Sequence, residues 1–539
     1  MTPITVPNEA RRILTLLAQE NPALKISKED IRNQVTFEGN ETPMLPGGLK
    51  SDALCAAIFS AFGLVADQIA RQRFGGEPSK VKVNTTHATL FLANVGLFSV
   101  NGKFGGDKDK PAPNWEEDGM WGPPMHSAAT RIYETKDGRY FQLHGDLNAS
   151  FLLKDIGLED KRDISLEEAQ QIVANWVKQY TADELEKMMV EQKHSGSKCY
   201  KPEEWLATDM GKALAARPLC DVRQLTPPTN EPVPYLSPSN AKRILEVRVI
   251  AGPTIGRTLA ELGARVIKVN PPHLRDITML QYTLTAGKHT VALDARDPKQ
   301  KAQLEELVSQ ADVFINGFRP NSLERLGFGK QRVLELVKKA RGENASIVYV
   351  DESSYGPEGP YNGRPGWQQI GDTASGASYV QGRTLGLDNE ECVLPPLPIS
   401  DLLTGIVGAT SILCALRDRA VQGGSYYVSA SLVKVKMVNV ALGTYPEEII
   451  KKVAAEYDFG SMRAIDNVSD LLFKVIKGWK QKHPREIDLN GDSPFFVEFQ
   501  EGPLGKMRIV APVTQIENYP LKWDHPPRPY GNDEPTFVY

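Results

Sequence analysis

Cysteine is scarce in this chain and follows no pairing pattern. Five residues, Cys55, Cys199, Cys220, Cys392 and Cys414, are scattered through 539, and none forms a CxxC pair. That excludes a disulfide framework or cysteine-held zinc as the organising feature, so no metal site is expected, and it fits a reducing compartment. An excess of one charge is also missing. The 63 Lys and Arg against 67 Asp and Glu leave a formal net charge of −4. No basic field therefore draws in nucleic acid or an anionic membrane. No apolar run reaches the roughly eighteen residues of a membrane span. The opening MTPITVPNEARRILTLLAQEN has no apolar signal core. The closing residues Thr536 to Tyr539 are not a Ser-Lys-Leu type peroxisomal address. The expected location is cytoplasmic, with an intracellular organelle left open.

What is present is ordinary globular material, 41% hydrophobic and 24% charged. At about 150 residues each, the length allows two to four domains. The most organised stretch is 243–376. Strands are expected at 244–250, 265–270, 289–295, 312–318 and 345–351. Helices are expected after Gly252-Pro253, at 299–311 and at 321–339. Strands alternating with helices predict right-handed crossovers and a parallel, Rossmann-like sheet, with ligands at the carboxyl ends of its strands.

Around it, helices are expected at 8–20 and 51–73, the second with apolar residues at three-and-four spacing from Ala53 to Ile69. Stretch 101–124 is a Gly- and Pro-rich loop whose Trp115 and Trp121 pin it to a neighbour. Residues 131–144 form a hairpin about Asp137-Gly138, followed by helices at 166–180 and 182–193. Proline dominates 217–238, which is where the main boundary falls. Residues 51–98 can be laid on 400–445: Ser-Asp, a long apolar helix, a Gly-Gly break, a strand, a second apolar segment. This order points to an internal duplication. The expected division is a degenerate first-copy helical region (1–125) packing on the second copy, a small α+β domain (126–216), a proline-rich connection (217–238), a Rossmann-like domain with its following helix (239–445), and a C-terminal helical and return segment (446–539).

The blocks Val249–Pro253, Glu261–Val269, Gly287–Asp294, Phe318-Arg319-Pro320, Leu323–Gly327, Tyr355-Gly356-Pro357 and Arg364-Pro365-Gly366 follow one another in this order. In that order they resemble the family III CoA-transferases (the CaiB/BaiF type), which include alpha-methylacyl-CoA racemases. The resemblance implies a family III-like α/β fold, here pseudo-duplicated, and a coenzyme A thioester as substrate with no tightly bound cofactor. The other reactant it implies is a carboxylic acid. The family's interlocked dimers imply either a monomeric pseudo-dimer fused from two copies or a homodimer. No nucleic-acid or membrane partner is expected.

For the site, the matched blocks offer Gly252, Pro253, Lys288, His289, Phe318, Arg319 and Gly356 to CoA, with Arg275 as a further phosphate partner. Gly252 and Gly256 at a strand-to-helix turn permit close approach of an anion to a helix N-terminus. Family transferases use an aspartate just after the Arg-Pro-Gly-aromatic piece. It attacks the thioester and forms a mixed anhydride. In this chain that position is Gln368, whose amide cannot do so. Asp372, four residues on, shares a helical face with it and is the substitute candidate, while Gln368 could hold an acyl carbonyl by hydrogen bonds. His126 and His144 are further candidates for the cleft. The chain is thus expected to be an acyl-CoA-processing enzyme. The alternatives are a racemase-like enzyme or a non-catalytic CoA-binding protein.

Overall fold

The structure is a computed structural model describing residues 3–106, 122–228, 231–235, 243–250, 252–274 and 276–538. Trp115, Trp121 and Arg275, and most of the loop expected at 101–124, lie outside the described residues.

Seven strands build the central sheet: β1 (Asp221–Gln224), β2 (Arg248–Ile250), β3 (Arg265–Asn270), β4 (Lys288–Ala292), β5 (Val313–Asn316), β6 (Val348–Ser353) and β7 (Tyr426–Ser431). Their spatial order is β4-β3-β2-β5-β6-β7-β1. All neighbours are parallel except β1, which pairs antiparallel with β7. Counted from β2, the parallel strands run 3-2-1-4-5-6, the doubly wound order, with its switch point between β2 and β5. The expected parallel α/β sheet is therefore present. β1 lies inside the proline-rich stretch, where no strand was expected. It occupies the sheet edge, the position that proline-flanked strands tolerate.

Both faces of the sheet are covered, as parallel sheets require. Ile250, Ile267, Val291, Phe314 and Tyr349 pack on one side under the helices Pro298–Gln310 and Lys330–Arg341. On the other side Val249, Val266, Val313, Val348 and Val350 join a core that runs through the helices Ser51–Phe74, Pro253–Glu261 and Ile399–Gln422. The helix expected at 321–339 is broken into Ser322–Arg325 and Lys330–Arg341. The break falls at Gly327-Phe328-Gly329, where Gly327 takes φ +89°.

The helices Ser51–Phe74 and Ile399–Gln422 are each long and apolar enough to cross a membrane, yet 94% of the most apolar window of each is buried inside the molecule. They pack on one another and share local geometry. Both start after a residue near φ −75°, ψ +50° (Lys50 at −80°, 43°; Pro398 at −73°, 54°) and end at a glycine (Gly75 at 70°, −165°; Gly423 at 66°, −162°). Each is followed by a strand, Val81–Asn84 or β7, with a parallel neighbour on one side and an antiparallel one on the other. For Val81–Asn84 the antiparallel neighbour is Thr514–Ile516, from the chain's end. For β7 it is β1, which follows the small domain.

That small domain holds the expected hairpin, Ile132–Glu134 and Tyr140–His144. A third strand, Ser195–Lys198, joins its second arm. Around it pack Leu166–Val177 and Ala182–Gln192.

Gly405 sits where Ile399–Gln422 crosses Pro253–Glu261. A Cβ there would fall 2.3 Å from Thr254 Cβ. The Gly405→Ala change should therefore destabilise by overpacking, by about 1–3 kcal/mol, read as a lower denaturation midpoint with unchanged slope. An unchanged midpoint would mean that the helices do not approach this closely.

Candidate functional site

The carboxyl ends of β2, β5 and β6 converge on the switch point. Gly252 follows β2 and caps the helix Pro253–Glu261, with Pro253 in its first turn. Gly317, Phe318 and Arg319 follow β5. β6 runs into Tyr355-Gly356, where φ at Gly356 is +79°.

Lys288 opens β4 and is wholly buried. Its ammonium donates to the carbonyls of Gly252, at 3.1 Å, and Pro253. Burial first, then Lys268 and Arg257, press its pKa well down, against the pull of Glu352. It therefore lies beneath the turn with its donors committed to backbone. The sequence-based expectation of a direct phosphate ligand does not fit that placement. His289, the next residue, faces away. Its Nε2 is 3.1 Å from His525 Nε2 and its Nδ1 3.6 Å from Asp533. It belongs to the packing of the C-terminal segment on the sheet.

Phe318 and Arg319 stand at the mouth. Phe318 is 38% exposed. Arg319 pairs with Asp146 of the small domain at 2.8 Å. Asp146 holds φ +53° and also accepts from Ser195 Oγ at 2.6 Å and Trp367 Nε1 at 2.5 Å. The His144 ring stacks on Trp367, with centroids 5.2 Å apart and planes 4° from parallel. Burial presses His144 down to about 4, so it is neutral at neutral pH, although Asp146 and the Gln369 side chain act the other way. Its Nδ1 accepts the Asp146 N–H at 3.0 Å. Of the two histidines named from sequence, His144 thus borders the Trp367-Gln368 turn. The ring of His126 lies with Ser150 Oγ at 3.1 Å and Asp160 at 3.0 Å, inside the small domain.

Gln368 begins the helix Gln368–Ala374, so Gln368 and Asp372 share a side of it as the spacing predicts. The Gln368 amide donates to the Asp372 carboxylate and, at 3.3 Å, to the Leu397 carbonyl. Both of its N–H groups are thereby spent inside the protein. Flipping the amide would set oxygen against a carboxylate. Gln368 therefore has only its carbonyl oxygen to offer a ligand and cannot hold an acyl carbonyl as a donor, contrary to the expectation from sequence. Asp372 has no exposure. Ser400 Oγ donates to it at 3.2 Å, and Lys436 Nζ, equally buried, lies 3.5 Å away. Burial raises the Asp372 pKa; Lys436, Gln368 and Ser400 counter it.

Sequence reasoning missed three charged groups here: Glu352 on β6, Asp401 beside Ser400, and Lys436 on the helix Leu432–Ala441. Only Asp401 had a signal, as part of the repeated Ser-Asp pair. Burial pushes Glu352 up to about 7, and Lys288 pulls against that shift. Burial, then Glu352 and Asp372, push Asp401 up to about 8.

Removing one member of a buried pair leaves the other charge uncompensated, at about 3–5 kcal/mol. Lys436→Met should therefore destabilise by that order, and Lys436→Met with Asp372→Asn by much less. Equal losses in chemical denaturation would show that the two charges do not depend on each other.

A family model described as CoA-transferase family III matches residues 242–463, which hold the sheet from β2 to β7 and the Gln368–Ala374 helix. Over 550 aligned residues the chain is 36% identical to a Gibberella moniliformis protein named acyl-CoA transferase, covering 98% of this chain and 95% of that one. It is 31% identical over 567 residues to acetyl-coenzyme A transferase nodX of Hypoxylon pulicicidum, covering 99% and 93%. Among solved structures, that of Rv3272 from Mycobacterium tuberculosis aligns at 29% identity and a TM-score of 0.30, over 36% of this chain and 54% of that one. A chain that aligns over 98% of its length with an acyl-CoA transferase, and whose parallel sheet from β2 to β7 falls in the family model, is an enzyme of the transferase class and belongs to the family III CoA-transferases.

Proposed function

We propose that this protein moves CoA from an acyl-CoA thioester to a carboxylic acid, with CoA lying over the carboxyl ends of β2, β5 and β6. One observation carries the reading. The similarity to the Gibberella acyl-CoA transferase runs over 98% of the chain. It includes the small domain that sets His144 and Asp146 against Trp367. At the mouth, Phe318 offers an apolar face to the nucleotide base and Arg319 a guanidinium to phosphate. The Arg319–Asp146 pair is exposed on the arginine side and worth about 0.2–1 kcal/mol, so a phosphate can displace Asp146. Gly252 and Gly356 allow the backbone to approach the ligand closely, and Pro253 fixes the turn.

The transfer needs a carboxylate to attack the thioester. An amide forms no anhydride, so Gln368 is excluded. Asp372 is enclosed by Gln368, Ser400 and Lys436, which suits it to fixing the Gln368 turn. Racemisation would need a free base beside the thioester. His144, the imidazole nearest Trp367, has Nδ1 committed to the Asp146 N–H. A non-catalytic CoA-binding role is favoured by Gln368 alone.

The test is exchange of a labelled carboxylic acid into its CoA thioester, run with acetyl-, succinyl- and longer acyl-CoAs. Turnover with at least one pair is expected. CoA binding without exchange would select the non-catalytic reading. In the same preparation Arg319→Ala should weaken CoA binding by about 1.5–3 kcal/mol. Unchanged affinity by calorimetry would remove Arg319 from the site.

We infer also that the chain is a fused pair of family copies acting as one unit. The matched helix caps, the strand after each helix with one parallel and one antiparallel neighbour, and the crossing of β1 and Thr514–Ile516 into each other's half support this. Fusion makes the encounter of two interlocking copies intramolecular. Light scattering should find a particle near the 59.5 kDa of one chain. A stable two-chain ring would refute the fusion.

A further inference from the structure

Glu352 is the charged group at the switch point to which the family-derived roles assign nothing. It is the fifth residue of β6. Side chains alternate along a strand, so it faces opposite to Asp351, whose carboxylate accepts from Asn316 at 3.0 Å and Tyr427 at 2.9 Å. Its Oε2 lies 2.9 Å from where a Cβ would stand on Gly252 and 3.8 Å from the corresponding point on Gly317. These glycines follow β2 and β5, the two strands that bound the switch point. The carboxylate therefore occupies the crevice where ligands of such sheets bind.

Asp372 has no exposure and is held by three side chains. Glu352 is only partly buried. Among the described residues its carboxylate makes no hydrogen bond or ion pair. Its charged neighbours are Lys288, reaching from β4 beneath the Gly252 turn, and Asp401 at the start of Ile399–Gln422. At about 7 the Glu352 carboxyl is about half ionised at neutral pH and more basic than a free glutamate. Asp401, at about 8, is largely protonated there and adds little negative charge beside it.

We propose that Glu352 is the catalytic carboxylate of this enzyme, carrying first the acyl group and then CoA. The inference rests on the transferase reading above. A Glu352 oxygen attacks the thioester carbonyl, the C–S bond breaks, and CoA leaves as thiolate from a glutamyl-acyl mixed anhydride. The thiolate attacks the glutamyl carbonyl and expels the first carboxylic acid, leaving a glutamyl-CoA thioester. The acceptor carboxylate attacks that thioester, again giving an anhydride and free thiolate. The thiolate then takes the new acyl group and releases the Glu352 carboxylate. No proton, oxidant or further reactant is consumed. One oxygen of the acceptor acid stays on Glu352 in each cycle.

The experiment uses the full chain and whichever acyl-CoA scores in the exchange assay. The glutamyl-CoA intermediate is trapped by borohydride reduction, and an acceptor acid labelled with heavy oxygen is turned over in parallel. Peptide mass spectrometry then locates both marks. Both are expected on Glu352. Marks on Asp372, Asp401 or any other residue, or exchange with no enzyme-bound mark, would overturn the assignment while leaving the transferase reading intact. Failure of every acyl-CoA to support exchange would overturn both. Glu352→Gln should retain CoA binding and lose exchange by about a thousandfold or more. Gly252→Ala gives a second readout. Gly252 has φ −75°, which suits alanine, and the added methyl pushes the carboxylate aside. This variant should fold and show a reduced kcat; a wild-type kcat would count against Glu352.

Discussion

The packing of two helices that have no polar face governs this molecule. In Ser51–Phe74 and in Ile399–Gln422, 19 of 24 residues are buried. A helix apolar all round is stable only when enclosed on every side. Each therefore needs the other, its own strands and a layer beyond them. The ends of the pair are tied by buried arginines that reach across. Arg73 donates to the carbonyls of Arg243 and Ile244 at 2.8 and 2.7 Å and pairs with Glu246 at 2.9 Å. Arg417 donates to the carbonyls of Leu24 and Ala23 at 3.0 and 2.7 Å. The last turn of each helix is thus fastened to a segment that leads into the other half.

The candidate site inherits its chemistry from that enclosure. The start of Ile399–Gln422 carries Ser400 and Asp401 under the switch point, next to Asp372 and Lys436. Burial there disfavours charge, and the groups respond by pairing or by staying protonated. Asp372 and Lys436 pair. Lys288 has backbone carbonyls. Glu352 stays partly exposed, its carboxylate lying where side chains on Gly252 and Gly317 would otherwise stand. A helix that is structural along most of its length thereby sets the ionisation of the groups at its N-terminal end.

The parallel sheet was legible because its strands are short β-branched runs separated by helix-length polar segments, and that periodicity is local. The two long apolar helices after Ser-Asp were legible for the same reason. β1 was not, since four residues among prolines carry no pattern, and its place is set by the open edge of β7. Residues 446–539 were legible only as a helical and return segment, without the bounds of the helices Glu447–Glu456 and Val468–Lys482. Their apolar faces pack on the first half of the chain, as when Trp479 Nε1 donates to the Met44 carbonyl at 2.6 Å. At the site, Gln368 and Asp372 were legible as neighbours on a helix, but not the direction in which the amide points. Lys288 and His289 were named together, yet successive strand residues face opposite sides, so one chemistry could not serve both. Glu352 passed unnoticed because a carboxylate in a strand gives no sequence signal until the glycines of two other strands are brought against it.

On the fused-pair reading the two helix starts should once have bordered equivalent clefts, and the partners of their Ser-Asp pairs now differ. Beside Ser400, a buried carboxylate and a buried ammonium remain, with Glu352 open to the crevice. Beside Ser51 the hydroxyl donates to Asn439 Oδ1 at 2.9 Å, and the ion pair there, Lys50 with Glu9 at 2.9 Å, lies just ahead of the helix rather than against its Ser-Asp pair. Asp52, pushed up to about 6 by burial, accepts from the Tyr445 hydroxyl at 2.8 Å. Trp479, fully buried, occupies the ground nearby at Met44. An aromatic that fills a cleft contributes buried area that a hydrated cleft lacks. Once a single working site suffices, such filling is favoured by stability alone. The same force cannot act at the other end without displacing Lys288 and Glu352. The asymmetry between the two helix starts is thus what one retained site and one packed-over site would leave behind.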